Sequence, residues 1–455
     1  MSKENESKEQ VSRGEIIKAL EELTQKPGFL YSLALVLRHD LFLNPEESAD
    51  INWRERLSFQ EISFLVGLMV KHKISLELPD NQKIMTAQVD QTYDLFKKLH
   101  QVHHTTFFER MVKSIKRINI PEEAEKGYLE FFGSGDFMTE PIFYGGSGAY
   151  DFQYFEFAGK KYQNDKEWII KNKGFNIEVV AQIAYELKKL NEHKAMTLPK
   201  PKTFEELCAT ILNVFCFKVE DINQFGYENA KNFLSAFSLV PATVNKDLDN
   251  PGGYNAVDSH PIIRLQEDLY FLPVGFSLSQ SIYESPFYWM SKDLSYRDQA
   301  FKHRGKITEE IAYEMLVSIF GKNNVYRDIK VEKSKGEVIT DIDVLAIAGN
   351  KAIIIQAKSK KLTELSKKGG EDNLRADFKE AVQAAYNQGL ISRIAVVDKT
   401  NKLVSAKGEE LKLAESIDDA YIICLTSDHY PAVTHQVEVY LQKQPKDPHP
   451  LAMSI

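Results

Sequence analysis

A chain of 455 residues exceeds what one hydrophobic core usually serves, which implies two or three domains. A formal net charge of -8 does not mark a polybasic nucleic-acid binder. The longest apolar run, at residues 29–37, is too short for a bilayer crossing and reads as a buried helix. Cys208, Cys216 and Cys424 make no paired framework and no C-x-x-C, and the polar N-terminus lacks a signal peptide's apolar core. Reduced thiols, a cytoplasmic setting and no membrane partner are therefore expected.

Residues 1–11 read as a disordered lead. From Ser12, apolar residues at helical spacing (Ile16, Ile17, Leu20, Leu23) predict a first helix, followed by helices at 27–38, 59–73 and 88–113. His100, His103 and His104 on the last of these have no carboxylate or cysteine at ligand spacing, and adjacent helical residues face apart, so no metal site is assigned to them. Between 131 and 159 the chain turns to Gly, Phe and Tyr, which predicts a turn at Gly145-Gly146-Ser147-Gly148 between aromatic strands. No Gly-Lys-Ser/Thr follows, excluding a Walker-type loop. Helices are predicted at 166–171, 177–190, 204–215 and 275–290, with a short hairpin at 262–273. Residues 12–295 thus form a mostly helical region, with 199–203 as a candidate break between subdomains. Contacts to a second copy or a partner protein are expected there.

The pattern changes near Tyr296, and residues 296–455 read as a separate domain. A helix at 301–320 ends at Gly321, and strands follow at 325–332, 338–348 and 351–358. Then come a helix at 372–387 closed by Gly389, strands at 391–397 and 420–425, and a helix near 434–443. Gly349-Asn350 predicts a two-residue hairpin turn. Counting back from it pairs Ala348 with Lys351, Asp343 with Gln356 and Asp341 with Lys358. Alternation then places these four polar residues of the strand ends on one face, with Ile342, Val344, Ala346, Ile353, Ile355 and Ala357 on the other.

Helix, three antiparallel strands, helix and strand, with Asp343 in the second strand and Gln356-Ala357-Lys358 in the third, resembles the PD-(D/E)xK nuclease superfamily. The Gln-x-Lys form is similar to its Mrr-like branch, and Gln383-Ala384-Ala385-Tyr386 is similar to the Q-x-x-Y helix of RecB-like nucleases. The resemblance spans about residues 302–397. It implies an α/β or α+β chain: a mostly helical N-terminal region, then a restriction-endonuclease-like mixed sheet flanked by helices. It also implies a Mg²⁺-dependent endonuclease acting on DNA, with Mn²⁺ able to substitute, and a restriction-type role in prokaryotic defence.

On that reading Asp343 is the main metal ligand, helped by the Gln356 amide oxygen and the Ala357 carbonyl, and Lys358 stabilises charge on the phosphate. A helix acid acts through a bound water. Gly305-x-x-x-Glu309 fits the family arrangement, and the adjacent Glu310 is the alternative. Asp341 is assigned a supporting position. Gln383 and Tyr386 read first as structural, with holding the substrate backbone or orienting Lys358 as the alternative. Lys360 and Lys361 are expected to meet nucleic acid, whereas His303 and Arg304 read as an exposed helix start. Two rivals are a repair or recombination nuclease and a catalytically inactive nuclease fold that binds nucleic acid, since Gln356 leaves the site one charge short.

Overall fold

The computed structural model describes residues 12–42, 55–145, 149–413, 415–445 and 447–455. The expected disordered lead and residues 146–148 of the expected glycine turn lie outside them. The chain is mixed α and β and divides into two compact units. One comprises the chain up to Ile120, Asp151–Tyr162 and Lys166–Pro286; the other comprises Pro121–Tyr150, Gln163–Asp165 and Phe287–Ile455. No helix of the described residues is long and apolar enough to cross a membrane.

The first unit is mostly helical. Its helices at Arg13–Thr24 and Phe59–Met69 begin at Ser12 and Ser58, each in a capping box with a glutamate three residues on. His100, on the long helix Gln82–Ile118, sets its Nε2 2.6 Å from Glu61 Oε1, so it serves an ion pair within the fold. The predicted hairpin forms at Ile262–Gln266 and Leu269–Phe271, inside a small four-stranded sheet.

The expected aromatic strands between 131 and 159 are helices instead: Ala124–Phe132, Gly135–Tyr144 and Asp151–Lys161. Helical spacing wins over the glycines, since Tyr154, Phe157, Ala158 and Lys161 are the buried residues of the last one. Ser134 caps the middle helix by accepting from the Phe137 amide, and Met138 and Ile142 enter the second unit's core.

The second unit is built on a six-stranded sheet. Its strands are β1 (Val325–Ser334), β2 (Glu337–Ala348), β3 (Lys351–Lys358), β4 (Lys402–Val404), β5 (Asp419–Thr426) and β6 (Leu451–Ser454), in the order β6-β5-β3-β2-β1-β4. β1, β2 and β3 form an antiparallel meander; β5 lies parallel to β3, and β6 parallel to β5. The predicted turn is present: Ala348 pairs with Lys351, and Gly349 has φ 60°, the left-handed conformation that a II′ turn assigns to glycine. Helix α1 (Arg297–Phe320) covers Val325, Val344, Ala346 and Ile355 with Ala312 and Leu316.

The parallel step from β3 to β5 needs a crossover, supplied by a nearly continuous helical run. It comprises Glu371–Phe378, a π-helical turn at Lys379–Gln383, and α2 (Ala384–Val397). The predicted stop at Gly389 and strand at 391–397 are therefore corrected: α2 passes through Gly389. The glycine answers a packing demand rather than a cap, because a Cβ there would lie 2.6 Å from the Ile422 Cγ2 of β5. Gly389→Ala should destabilise the unit by about 1–3 kcal/mol despite alanine's better helix propensity, as measured by chemical denaturation. Equal or greater stability would contradict this packing.

Candidate active site

β2 and β3 pair only as far as Val344 and Ile355. Beyond that point β2 stays paired with β1 as far as its turn, and β3 stays paired with β5 to Lys358 and Thr426. The sheet therefore forks. The Ala357 amide, freed from the β2 ladder, donates to Asp343 Oδ2 at 2.7 Å. The expected pairs Asp343–Gln356 and Asp341–Lys358 are thus not ladder pairs.

The expected division of faces also changes. Ile342 packs with Leu345, Ile354 and the α2 residues Ala395 and Val396, whereas Val344 and Ala346 pack under α1. On β1, Val325 likewise lies with the α1 cluster and Ile329 and Val331 with the α2 cluster. Both strands change face between these positions. Asp328 sits at the change on β1 with φ 55°, a conformation Asp tolerates better than most residues. It lies between the pairs Arg327–Val344 and Ile329–Ile342, hence across from Asp343.

Asp343 and Glu309 of α1 are brought together, and with Asp328, Asp341 and Lys358 they form one electrostatic group. Burial first, then the Asp343 and Asp328 carboxylates, push Glu309 up to about 7, against the lowering effect of the Lys358 ammonium. Burial also raises Asp343, opposed by the Ala357 amide and by Lys358. Of the two helix acids, Glu309 belongs to this group, while Glu310 accepts from Gln163 Nε2 at 3.4 Å. Gly305 is not required by space: a Cβ there would meet nothing closer than Ser359 Oγ at 3.9 Å.

Gln356 points to the α2 side and is fully buried. Its Nε2 donates to the Asp341 carbonyl at 2.9 Å and to Ser392 Oγ at 3.3 Å, while its Oε1 has no hydrogen-bond partner among the described residues. The four polar groups therefore do not share one face. Lys358 donates to Gln388 Oε1 at 2.8 Å, and Gln388 Nε2 reaches the Asp341 carbonyl at 3.4 Å. Gln383 and Tyr386 turn elsewhere: Gln383 exchanges two 2.8 Å hydrogen bonds with the Gln442 backbone, and Tyr386 donates to Asp447 at 2.6 Å.

Lys360 pairs with Asp377 at 3.1 Å and Glu380 at 2.6 Å, and Lys361 with Asp428 at 3.6 Å. Arg304 is buried against Asp428 and Phe287, which corrects the expected exposed helix start; His303 Nδ1 lies 2.7 Å from Asp165. Sequence reasoning missed Asp328, Gln388 and Ser392. The i, i+4 spacing of Gln388 and Ser392 was the one available signal, placing both on one helix face.

Comparison of the chain with family models, with curated proteins and with solved structures finds no match. Among the described residues, no three His, Cys, Asp or Glu side chains are grouped so as to hold a metal ion on their own. The donor chemistry nevertheless fits a hard cation that also takes oxygens from water or substrate: Glu309 and Asp343 are two carboxylates raised by burial and by like charge.

Glu309 gives the site a pH signature. Its folded value lies above the 4.5 of an unperturbed glutamate, so between pH 4.5 and about 7 the folded state binds more protons than the unfolded state. Its contribution is present at low pH and is lost as pH rises through 7. Glu309→Gln should flatten the fall in stability across that window in melts without divalent metal; an unchanged slope would remove Glu309 as its source. Gln356→Glu should also destabilise, because a carboxylate would replace the donor that faces the Asp341 carbonyl. An unchanged melting temperature for Gln356→Glu would contradict the brace.

Proposed function

We propose that the second unit hydrolyses phosphodiester bonds of DNA with a divalent cation, Mg²⁺ or Mn²⁺, in the manner of the PD-(D/E)xK nucleases it resembles. The observation that carries this reading is the strand fork, where Asp343 accepts from the Ala357 amide and lies in one electrostatic group with Glu309 and Lys358. Structural ion pairs lower carboxylate values; a cluster that raises them and stays beside a strand fork suits a cation and a phosphate. The helix–meander–helix–strand order supports the same reading.

Asp343 and Glu309 would hold the cation, with the Ala357 carbonyl as a further candidate; the Gln356 amide, buried on the α2 side, is not brought beside them. Bound there, Mg²⁺ would neutralise phosphate charge and make a water more acidic. The chain's own part is to keep Asp343 oriented through the Ala357 amide and to hold the Lys358 ammonium through Gln388, where charge grows on the phosphate. Double-stranded DNA and host defence follow from the Mrr-like resemblance; a repair or recombination nuclease would use the same chemistry.

Asp343→Ala should abolish metal-dependent cleavage of plasmid DNA; Asp343→Asn, whose amide oxygen can still accept from the Ala357 amide, should abolish it with little change in the melting temperature without metal. Lys358→Ala should lower turnover about 10²–10³-fold at any salt concentration. Wild-type rates in Asp343→Ala, with metal present, would sink the assignment.

One observation favours a second reading, a non-catalytic nucleic-acid-binding module: the Gln356 amide nitrogen is committed to the framework. Wild-type protein that retains DNA yet cuts no plasmid, linear or single-stranded substrate with either metal would select it.

A further inference from the structure

A cavity of about 500 Å³ in this unit lies beside the π-helical turn and is not part of the carboxylate group. Its cations are Arg375, Lys379 and Lys443, and no carboxylate lines it, in a chain whose net charge is -8. Of the acids nearby, Glu380 pairs with Lys360 and Asp447 with Arg393 and Tyr386; Glu371 lies 3.9 Å from Arg375, and the Lys443 ammonium donates to the Asp447 carbonyl at 2.7 Å, which leaves it two further N–H groups. Lys379 is exposed and makes no ion pair with a described residue. Such a lining selects an anion.

The walls add a flat surface and free amides. Tyr440 is fixed by its hydroxyl, which donates to the Gly133 carbonyl at 2.8 Å, by an edge contact with Phe378, and by the Arg375 guanidinium 5.1 Å over its ring. Gln383 spends its amide on the backbone of Gln442 and on Asn387, holding the opposite wall in place. The side-chain amides of Gln442 and Gln444 remain unbonded among the described residues, and Asn387 keeps its Nδ2. Amides that read ring edges, a rigid aromatic and an Arg plane for stacking, and lysines for phosphate are together the elements of nucleotide recognition. The volume suits one nucleotide. Lys379 and Gln383 of the lining belong to the π-helical turn, a feature often found at functional sites.

We propose that this cavity binds a phosphorylated nucleoside, either a free nucleotide or the 5′-phosphorylated end of a single strand. Lys379 and Lys443 take the phosphate, and Asn387, Gln442 and Gln444 face the base. The site is independent of the nuclease reading. Asn387 and Gln388 are consecutive, so the cavity and the Lys358 contact occupy neighbouring positions of one helix.

Calorimetry on the full chain without divalent metal tests this with four probes: AMP, inorganic phosphate, and one single-stranded DNA bearing either a 5′-phosphate or a 5′-hydroxyl. The expected result is saturable binding of AMP or of the 5′-phosphorylated strand, weakened about tenfold in Lys379→Ala and also in Lys443→Ala. AMP binding without preference between the two strands identifies a free nucleotide; preference for the 5′-phosphorylated strand without AMP binding identifies a strand end. Asp343→Asn should leave the binding unchanged, which separates a failure here from a failure of the nuclease reading. No saturable binding, affinity unchanged in both lysine variants, or phosphate binding as tightly as AMP would overturn the proposal.

Discussion

The geometry of the second unit's carboxylate group depends on one hydrogen bond, from the Ala357 amide to the Asp343 carboxylate. An amide at that place in a meander would ordinarily pair with the β2 backbone. By taking it with a side chain, Asp343 satisfies a buried donor while letting the strands separate. The separation gives Gln356 room to reach the Asp341 carbonyl, and it exposes one carboxylate edge toward Glu309. Both strands keep their other partners, β1 and β5, so the fork is held open by paired backbone on each side. That is firmer support than a loop supplies.

Holding carboxylates this way is unfavourable for the isolated fold. Burial and like charge both raise Glu309 and Asp343, and the single ammonium of Lys358 offsets only part of that effect. A cluster selected for stability alone would place another cation here. Arg304 and Asp428, buried as a pair a short way along the same unit, show the arrangement that a structural charge takes. The contrast between a matched buried pair and an excess of carboxylates separates framework from site within one domain.

Much of this was legible locally. The Gly349-Asn350 turn, the strands on either side of it and the long helix before them follow from turn chemistry and apolar spacing over a few residues. Spacing marked the acid, the amide and the lysine, but the register it implied, Asp343 opposite Gln356 and Asp341 opposite Lys358, does not form. What escaped depends on contacts distant in sequence. The left-handed Asp328 and the change of face at Asp343 each require the neighbouring strand, and regular alternation cannot foresee them. Gly389 looked like a helix stop because its real constraint, the side chain of Ile422, lies more than thirty residues away. The aromatic stretch before residue 159 misled for a related reason: its glycines suggested turns, while its buried residues repeat every three to four.

The helical run from Glu371 to Val397 explains why the residues of the Q-x-x-Y resemblance do not touch the lysine. Gln383 and Tyr386 are three apart and share a face, which bonds to Gln442 and Asp447. Gln388 and Ser392 are four apart and share another face, turned to the fork. Five residues at 100° each place Gln388 roughly 140° around the helix from Gln383. One short helix cannot aim both pairs at Lys358. The tail therefore takes the first pair, and the lysine is held by a residue that the sequence pattern did not mark. Because the π-helical turn immediately precedes Ala384, it sets the rotation of everything after it, and with it which of these amides faces the sheet.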